Sequence, residues 1–480
     1  MAYNFRDYNP KQSFLLPPSL DDWLPENHLA RFISEIVDQT DLSEFIEDYN
    51  ESGRGNAAYH PAMMVKILLY AYCIGINSSR KIERALVEDV AFRWLAANNF
   101  PDFRTICLFR NRHAEAFEKL FLEVLLICRE AGLVKTGIIA VDGTKERANA
   151  SLSRNRSYEQ ILEEEERLRE KVRRILEEAK RVDEEEDRIY GEKRGDELPE
   201  ELDRIEKRLE RIGEAKRRLE EARRKREDGL VSERGKVREN KREGEEVGCR
   251  ERGEESDRGS KSRDDREESK ESKDSKGDRR KKEVKINLTD SDSRIQKTLK
   301  GYIQGYNAQA VVSEDQIILA YDVVNDANDV RQFKPMVDKA LRNVSEIGGL
   351  VKTILADAGY CSEENFRYVE SLEKERDIEV IINTRKERKV AGSEGKRVRS
   401  KLPGYKKMER RVRKAINRFI YSFRKKMIEP VFGQIKSCQG FRGFLLRGLE
   451  KVRVEFSLWC NAHNILKLYR HKLKGEAIVS

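Results

Sequence analysis

Two aspartates in this 480-residue chain follow apolar runs of the kind that fill buried strands. Asp142 closes Gly137-Ile138-Ile139-Ala140-Val141 and precedes Gly143, while Asp357 closes the run from Leu350 to Ala356 and precedes Ala358-Gly359-Tyr360. Neighbouring strands would bring both carboxylates to one crevice at the edge of a sheet. Like charges at ~4–6 Å repel unless a cation neutralises them, so the pair predicts a divalent metal. A third carboxylate on an approaching helix would complete a two-metal site for phosphodiester chemistry. Glu429 is the candidate: Tyr421-Ser422-Phe423-Arg424 leads into it, and Lys436 follows seven residues later, two helical turns on along one face. Pro430 removes a backbone donor here, so a kink or a helix start at Glu429 is expected. Taken alone, Glu429 also reads as a surface glutamate on a basic helix.

Charge points to the partner. Charged residues make up 39% of the chain, against roughly 25% in an average soluble domain. From Arg385 to Lys426 there are 18 Lys/Arg and three Asp/Glu, a net +15 in a chain of net +9, so the remainder is −6. This basic excess sits directly before the third acid, where a DNA backbone would need it. Each Lys or Arg placed on a phosphate would release counterions and make binding salt-dependent. The seven cysteines form no CxxC pair and no zinc-spaced cluster, so a reducing cytoplasm is expected. The five histidines (His28, His60, His113, His463, His471) read as structural or surface groups. No signal peptide is expected from Met1-Ala2-Tyr3-Asn4-Phe5-Arg6, and the apolar run Met63 to Ile76, which contains Lys66, reads as a buried helix and not a membrane span.

Positioning such a site requires a sheet and a covering helix. Residues 1–135 read as a helical domain for DNA binding or dimerisation, with good periodicity from Pro61 to Ile76 and from Phe109 to Glu130. Residues 136–156 would open an α/β core, and 286–480 would complete it with a hairpin (Tyr302 to Val312, Gln316 to Val324), a helix capped at Asn328-Asp329, strands at Leu350 to Ala356 and Ile378 to Ile382, and C-terminal helices. A mixed five-stranded sheet follows. Between the two parts lies a charged insert, 157–285. Ile161, Leu168, Val172, Ile175, Ala179, Val182 and Ile189 keep heptad spacing, as do Leu202, Ile205, Leu209, Ile212 and Leu219, so 159–228 reads as an antiparallel coiled-coil hairpin. Residues 229–283 are nearly devoid of apolar side chains and read as disordered.

With these residues in view, the chain resembles the DDE transposases of prokaryotic insertion sequences, in the branch with a Tyr-Arg-Glu-Lys signature at the third acid. The likeness spans nearly everything outside the insert. Asp22-Trp23-Leu24-Pro25, Tyr59-His60-Pro61, Ser78-Ser79-Arg80-Lys81-Ile82-Glu83 and Pro101-Asp102-Phe103-Arg104 look like the helical part of these enzymes. Val141-Asp142-Gly143-Thr144-Lys145, Ala356-Asp357-Ala358-Gly359-Tyr360 and Ile428-Glu429-Pro430-Val431-Phe432-Gly433 look like the three acid motifs. The resemblance implies a ribonuclease H-like core in which Asp142, Asp357 and Glu429 bind two Mg²⁺ ions, with Mn²⁺ able to substitute. It also implies that Tyr421, Arg424 and Lys436 contact the transposon end. Four residues separate Arg424 from Glu429 where the family pattern has three, so Lys425 is the alternative to Arg424.

The implied reaction is cleavage at the element's ends and strand transfer into target DNA, without a covalent enzyme intermediate. Double-stranded DNA, in the form of terminal repeats and target, is the expected partner. A homodimer is expected because two ends must be held together. The expected location is the cytoplasm, in association with the nucleoid. Two rivals use the same residues: a metal-dependent nuclease without strand transfer, and a non-catalytic DNA-binding relic of a transposase.

Overall fold

A computed structural model describes residues 19–47, 49, 57–190, 204–224, 285–384 and 403–479. Among the described residues eight helices come first: α1 (Leu20–Trp23), α2 (Leu29–Gln39), α3 (Ser43–Ile46), α4 (Pro61–Cys73), α5 (Ser79–Glu88), α6 (Val90–Leu95), α7 (Phe103–Arg112) and α8 (Ala114–Glu130). The α4 helix starts at Pro61, whose missing N–H costs nothing there, with the His60 side chain accepting from Ala62 N at 3.2 Å. Eleven of its 13 residues are buried, so it needs cover on every side. The helix expected from Phe109 to Glu130 is broken at His113, whose backbone (φ −100, ψ 44) leaves the helical region.

Strand β1 (Ile138–Arg147) follows, longer than the five-residue run expected. It is succeeded by a small unit of its own, residues 151–291. There β2 (Asn155–Arg156) pairs antiparallel with β3 (Ile286–Asn287), and among the described residues two helices, α9 (Tyr158–Tyr190) and α10 (204–224), lie between them in sequence. Ile161 and Leu168 of α9 pack with Ile205, Ile212, Ala215 and Leu219 of α10 and with Ile286. The helices run antiparallel: Tyr158 Oη donates to Glu220 at 3.0 Å, and Lys216 and Arg208 pair with Glu165 and Glu164 at 3.0 and 2.6 Å. Glu165, an acid at a heptad seam position, thus has its counter-charge on the facing helix. The connection 191–203 and the segment expected to be disordered lie outside the described residues.

The remainder carries β4 (Arg294–Thr298), β5 (Gly301–Ser313), β6 (Ile318–Val324), α11 (Phe333–Glu346), β7 (Thr353–Ala356), α12 (Glu363–Arg376), β8 (Glu379–Ile382), α13 (Pro403–Arg413), α14 (Ala415–Gly433) and α15 (Leu449–Val479). The sheet has six strands among the described residues, in the order β4-β5-β1-β7-β8, with β6 also on β5. The unexpected sixth, β4, reads Arg-Ile-Gln-Lys-Thr, too polar for its alternation to announce a strand. β5 and β6 form the expected hairpin, antiparallel to β1 and to each other, while β7 and β8 run parallel to β1.

The N-terminal helices do not stand apart as the boundary at 135 anticipates. Residues 1–150 and 292–480 form one compact unit. The reason is α4, whose apolar circumference is closed by α15: the Tyr72 and Trp459 rings lie 4.9 Å apart, and Cys73 Sγ approaches the Ala462 carbonyl at 3.8 Å. Among the described residues no helix is long and apolar enough to cross a membrane.

Candidate active site

Register places the two aspartates side by side. Val141 and Ala356 are the last partners between the parallel strands β1 and β7, and Asp142 and Asp357 come next on each. β1 does not end there, because β5 continues to pair with it as far as Arg147↔Gly305. Asp142 therefore lies inside a strand, at the point where one of its two neighbours stops. Asp357 accepts from Gly359 N at 2.7 Å and caps the short turn Ala358–Tyr360. Asp142 Oδ1 accepts from Gly143 N at 2.9 Å, and Oδ2 lies 2.7 Å from Arg424 Nη2. Burial pushes the Asp142 carboxyl up to about 6; Arg424 opposes this, while Asp357 and Asp329 add to it. The crevice therefore gathers more negative charge than one guanidinium offsets.

Helix α14 brings Arg424 there. Its buried positions (Asn417, Arg424, Met427, Ile428, Val431) form one stripe, in which Arg424 stands beside the apolar Met427, Ile428 and Val431. A charge so placed must be paired. Burial works against the charge on Arg424, but Asp142, Tyr421, Asp357 and Tyr360 together hold its pKa above the usual value. Tyr421 is half-buried one turn earlier, and Lys425 is exposed. Of the two basic residues the sequence left as alternatives, Arg424 is the one at the aspartates.

Glu429 is not with them. It is exposed, and five positions beyond Arg424 turn it about 140° round the helix. No three His, Cys, Asp or Glu side chains among the described residues gather closely enough to hold a metal ion. Nor does a helix start or break at Glu429, because α14 runs through Pro430 to Gly433. Pro430 has no N–H for the Lys426 carbonyl, which accepts instead from the side-chain amide of Gln316 at 2.8 Å. A π-helical turn, Gln434–Cys438, follows. It carries Lys436, whose Nζ lies 2.7 Å from Thr144 Oγ1 and 2.6 Å from Glu146 Oε1. Thr144 and Glu146 alternate with Asp142 on one face of β1. Arg424 and Lys436 are thus both tied to the strand that bears the first acid. The first part of the basic segment, 385–402, lies outside the described residues.

One residue of this neighbourhood escaped the sequence reading. Asp329 was expected to cap a helix, yet its side chain makes no cap hydrogen bond, a 3₁₀ turn intervenes, and α11 begins at Phe333. Its Oδ1 instead accepts from Lys145 Nζ at 3.0 Å, Asn307 Nδ2 at 2.7 Å and Gln309 Nε2 at 2.9 Å. The available signal was that an acid following a strand can serve a site as readily as a cap. Asn-Asp before a helix is so common a cap that this alternative drew no weight.

Residues 18–112 match the family described as Transposase domain (DUF772), and residues 270–465 match the family described as Transposase DDE domain. Together the two matches cover more than half of the 480 residues. No curated protein and no solved structure matches the chain.

Proposed function

The chain belongs to the DDE transposases of insertion sequences, and on that premise we propose that Asp142, Asp357 and Glu429 cut DNA at the ends of the element and join it to target DNA. The observation that carries this reading is the pair of aspartates side by side where the parallel pairing of β1 and β7 stops, with the buried Arg424 2.7 Å from Asp142. The strand order supports a ribonuclease H-like core: a central first strand with an antiparallel hairpin on one side and two parallel strands on the other.

The two aspartates suit a hard divalent cation. They offer oxygen ligands, and burial, with the acidic neighbours Asp357 and Asp329 adding to it, raises the Asp142 carboxyl, a cost that a cation would offset. Asp142 and Asp357 would hold the metal, with Glu429 as the third acid of the set. Two Mg²⁺ ions, or Mn²⁺ in their place, would supply an activated water and neutralise the departing 3′ oxygen. Arg424 sits where a scissile phosphate approaches the first acid, so its guanidinium can exchange Asp142 for a phosphate oxygen. Tyr421 borders the same crevice, and Lys436 fixes β1 through Thr144 and Glu146 while offering a cation to the backbone of the transposon end. Lys425, on the exposed side, would bind phosphate further along. Duplex DNA is the substrate, and a homodimer would hold the two ends together.

The test is cleavage and joining of labelled duplex carrying the element's own ends, with Mg²⁺. Asp142→Asn, Asp357→Asn and Glu429→Gln should each lose at least ~100-fold in rate while still binding DNA. Arg424→Ala should lose a comparable factor and Lys425→Ala only a few-fold. Cutting that survives the aspartate substitutions would put the active site elsewhere. Cutting without joined products would reduce the activity to that of a nuclease.

A further inference from the structure

Asp329 does more than neighbour the acids. Gly143 faces Gln309 and Lys145 faces Asn307 in the β1–β5 register, so all four stand on one side of the sheet. The Asp329 Oδ1 that binds Lys145, Asn307 and Gln309 therefore ties β1 to β5 just beyond Asp142. Gln309 extends the connection, because its Oε1 accepts from the Tyr360 hydroxyl at 2.5 Å. Tyr360 is fully buried and belongs to the turn that Asp357 caps. Lys145, Asp329, Gln309 and Tyr360 thus make one continuous path from the strand of the first acid to the turn of the second. Gly143 leaves room for it: a Cβ there would stand 2.1 Å from Gln309 Nε2 and 2.9 Å from Asp329 Oδ1. The second oxygen, Oδ2, and Asp357 Oδ1 both approach the point where a Gly359 Cβ would be, at 3.4 and 2.8 Å.

We propose that Asp329 is a positioning residue, clamping β1 and the Ala358–Tyr360 turn so that Asp142 and Asp357 present their carboxylates to a divalent cation together. This rests on the metal-dependent reading of the site. Removing the shared acceptor would leave the Lys145 ammonium without its carboxylate in a half-buried place and each amide with only its second acceptor, the Asp326 carbonyl for Asn307 and Asn307 Oδ1 for Gln309, so the tie between β1 and the turn would loosen. Partners that orient ligands in this way typically account for 10–100-fold in metal affinity.

Mn²⁺ binding to the full-length chain, followed by the electron paramagnetic resonance of the free ion, tests this without relying on cutting. Asp329→Ala should weaken Mn²⁺ binding at least ~10-fold. Asp329→Asn, which keeps an oxygen acceptor for Lys145, Asn307 and Gln309, should recover most of that loss. Tyr360→Phe, which removes only the far end of the path, should weaken binding by a smaller factor in the same direction. Wild-type affinity in Asp329→Ala, or equal losses in the Ala and Asn variants, would overturn the clamp. Should Asp329→Ala not fold, Tyr360→Phe decides, and unchanged affinity there overturns it. A wild-type chain that binds no Mn²⁺ would sink the metal reading itself, a pattern distinct from either of the others.

Discussion

Burial acts on three ionisable side chains of this protein with three outcomes. Burial pushes Asp142 up to about 6, with Asp357 and Asp329 adding to it, and Arg424 keeps its charge because Asp142 faces it. His463 has a carbonyl for its partner among the described residues, its Nε2–H donating to Gln316 O at 2.9 Å, and it is 1% exposed. Burial drives its pKa down to about 4, and the nearby Lys467 and Arg470 push the same way. The folded value lies below the unfolded one of ~6.5, so the neutral ring's contribution is whole above that pH and is lost as pH falls toward 4. The loss amounts to roughly 3 kcal/mol, an upper figure for a single group. Urea unfolding at pH 7.5 and pH 5 should show the wild type markedly weaker in acid, and His463→Gln should flatten that difference. An equal slope in both proteins would mean that other groups carry the acid sensitivity.

Among the elements, α14 depends on a loop from another part of the chain. Pro430 orphans the Lys426 carbonyl, and Gln316 satisfies it from the β5–β6 connection while its own Oε1 accepts from Lys467 Nζ at 2.8 Å. The helix that carries Arg424 and Glu429 is in this way pinned next to the proline. Gln316→Ala should cost about 1 kcal/mol. Pro430→Ala restores the backbone donor, so the same Gln316 substitution in that background should cost measurably less. A double-mutant cycle by denaturant unfolding reads this coupling directly, and strict additivity would show that the side-chain bond does not matter to α14.

At the scale of the molecule, residues 151–291 make a separate unit whose chain enters and leaves through the paired strands β2 and β3. Its apolar cluster is its own. Replacing residues 158–284 with a short Gly-Ser linker should therefore leave the rest of the chain folded, with its melting temperature changed by no more than a few degrees. Collapse of the larger unit on that excision, seen as loss of the cooperative transition, would show that the insert is integral to its folding.

What the sequence determined by itself was whatever depends on local pattern. Apolar runs ending in Asp142 and Asp357, the hairpin that became β5 and β6, the all-round apolar α4 and the heptads of α9 and α10 each carry their period or composition within a few residues. The limits of these elements were less legible, because β1 owes its second half to β5, and the polar β4 has no signal except its partner. Tertiary structure alone decided which residues meet. It brought Asp329 into the site, since whether an aspartate caps a helix or serves a strand depends on what faces it. It chose Arg424 over Lys425 through the buried stripe of α14. It turned Glu429 outward, since five residues of helix fix an angle that a motif's spacing does not state. And it joined the N-terminal helices to the sheet, because an apolar cylinder such as α4 must be covered, and only the folded chain shows by what.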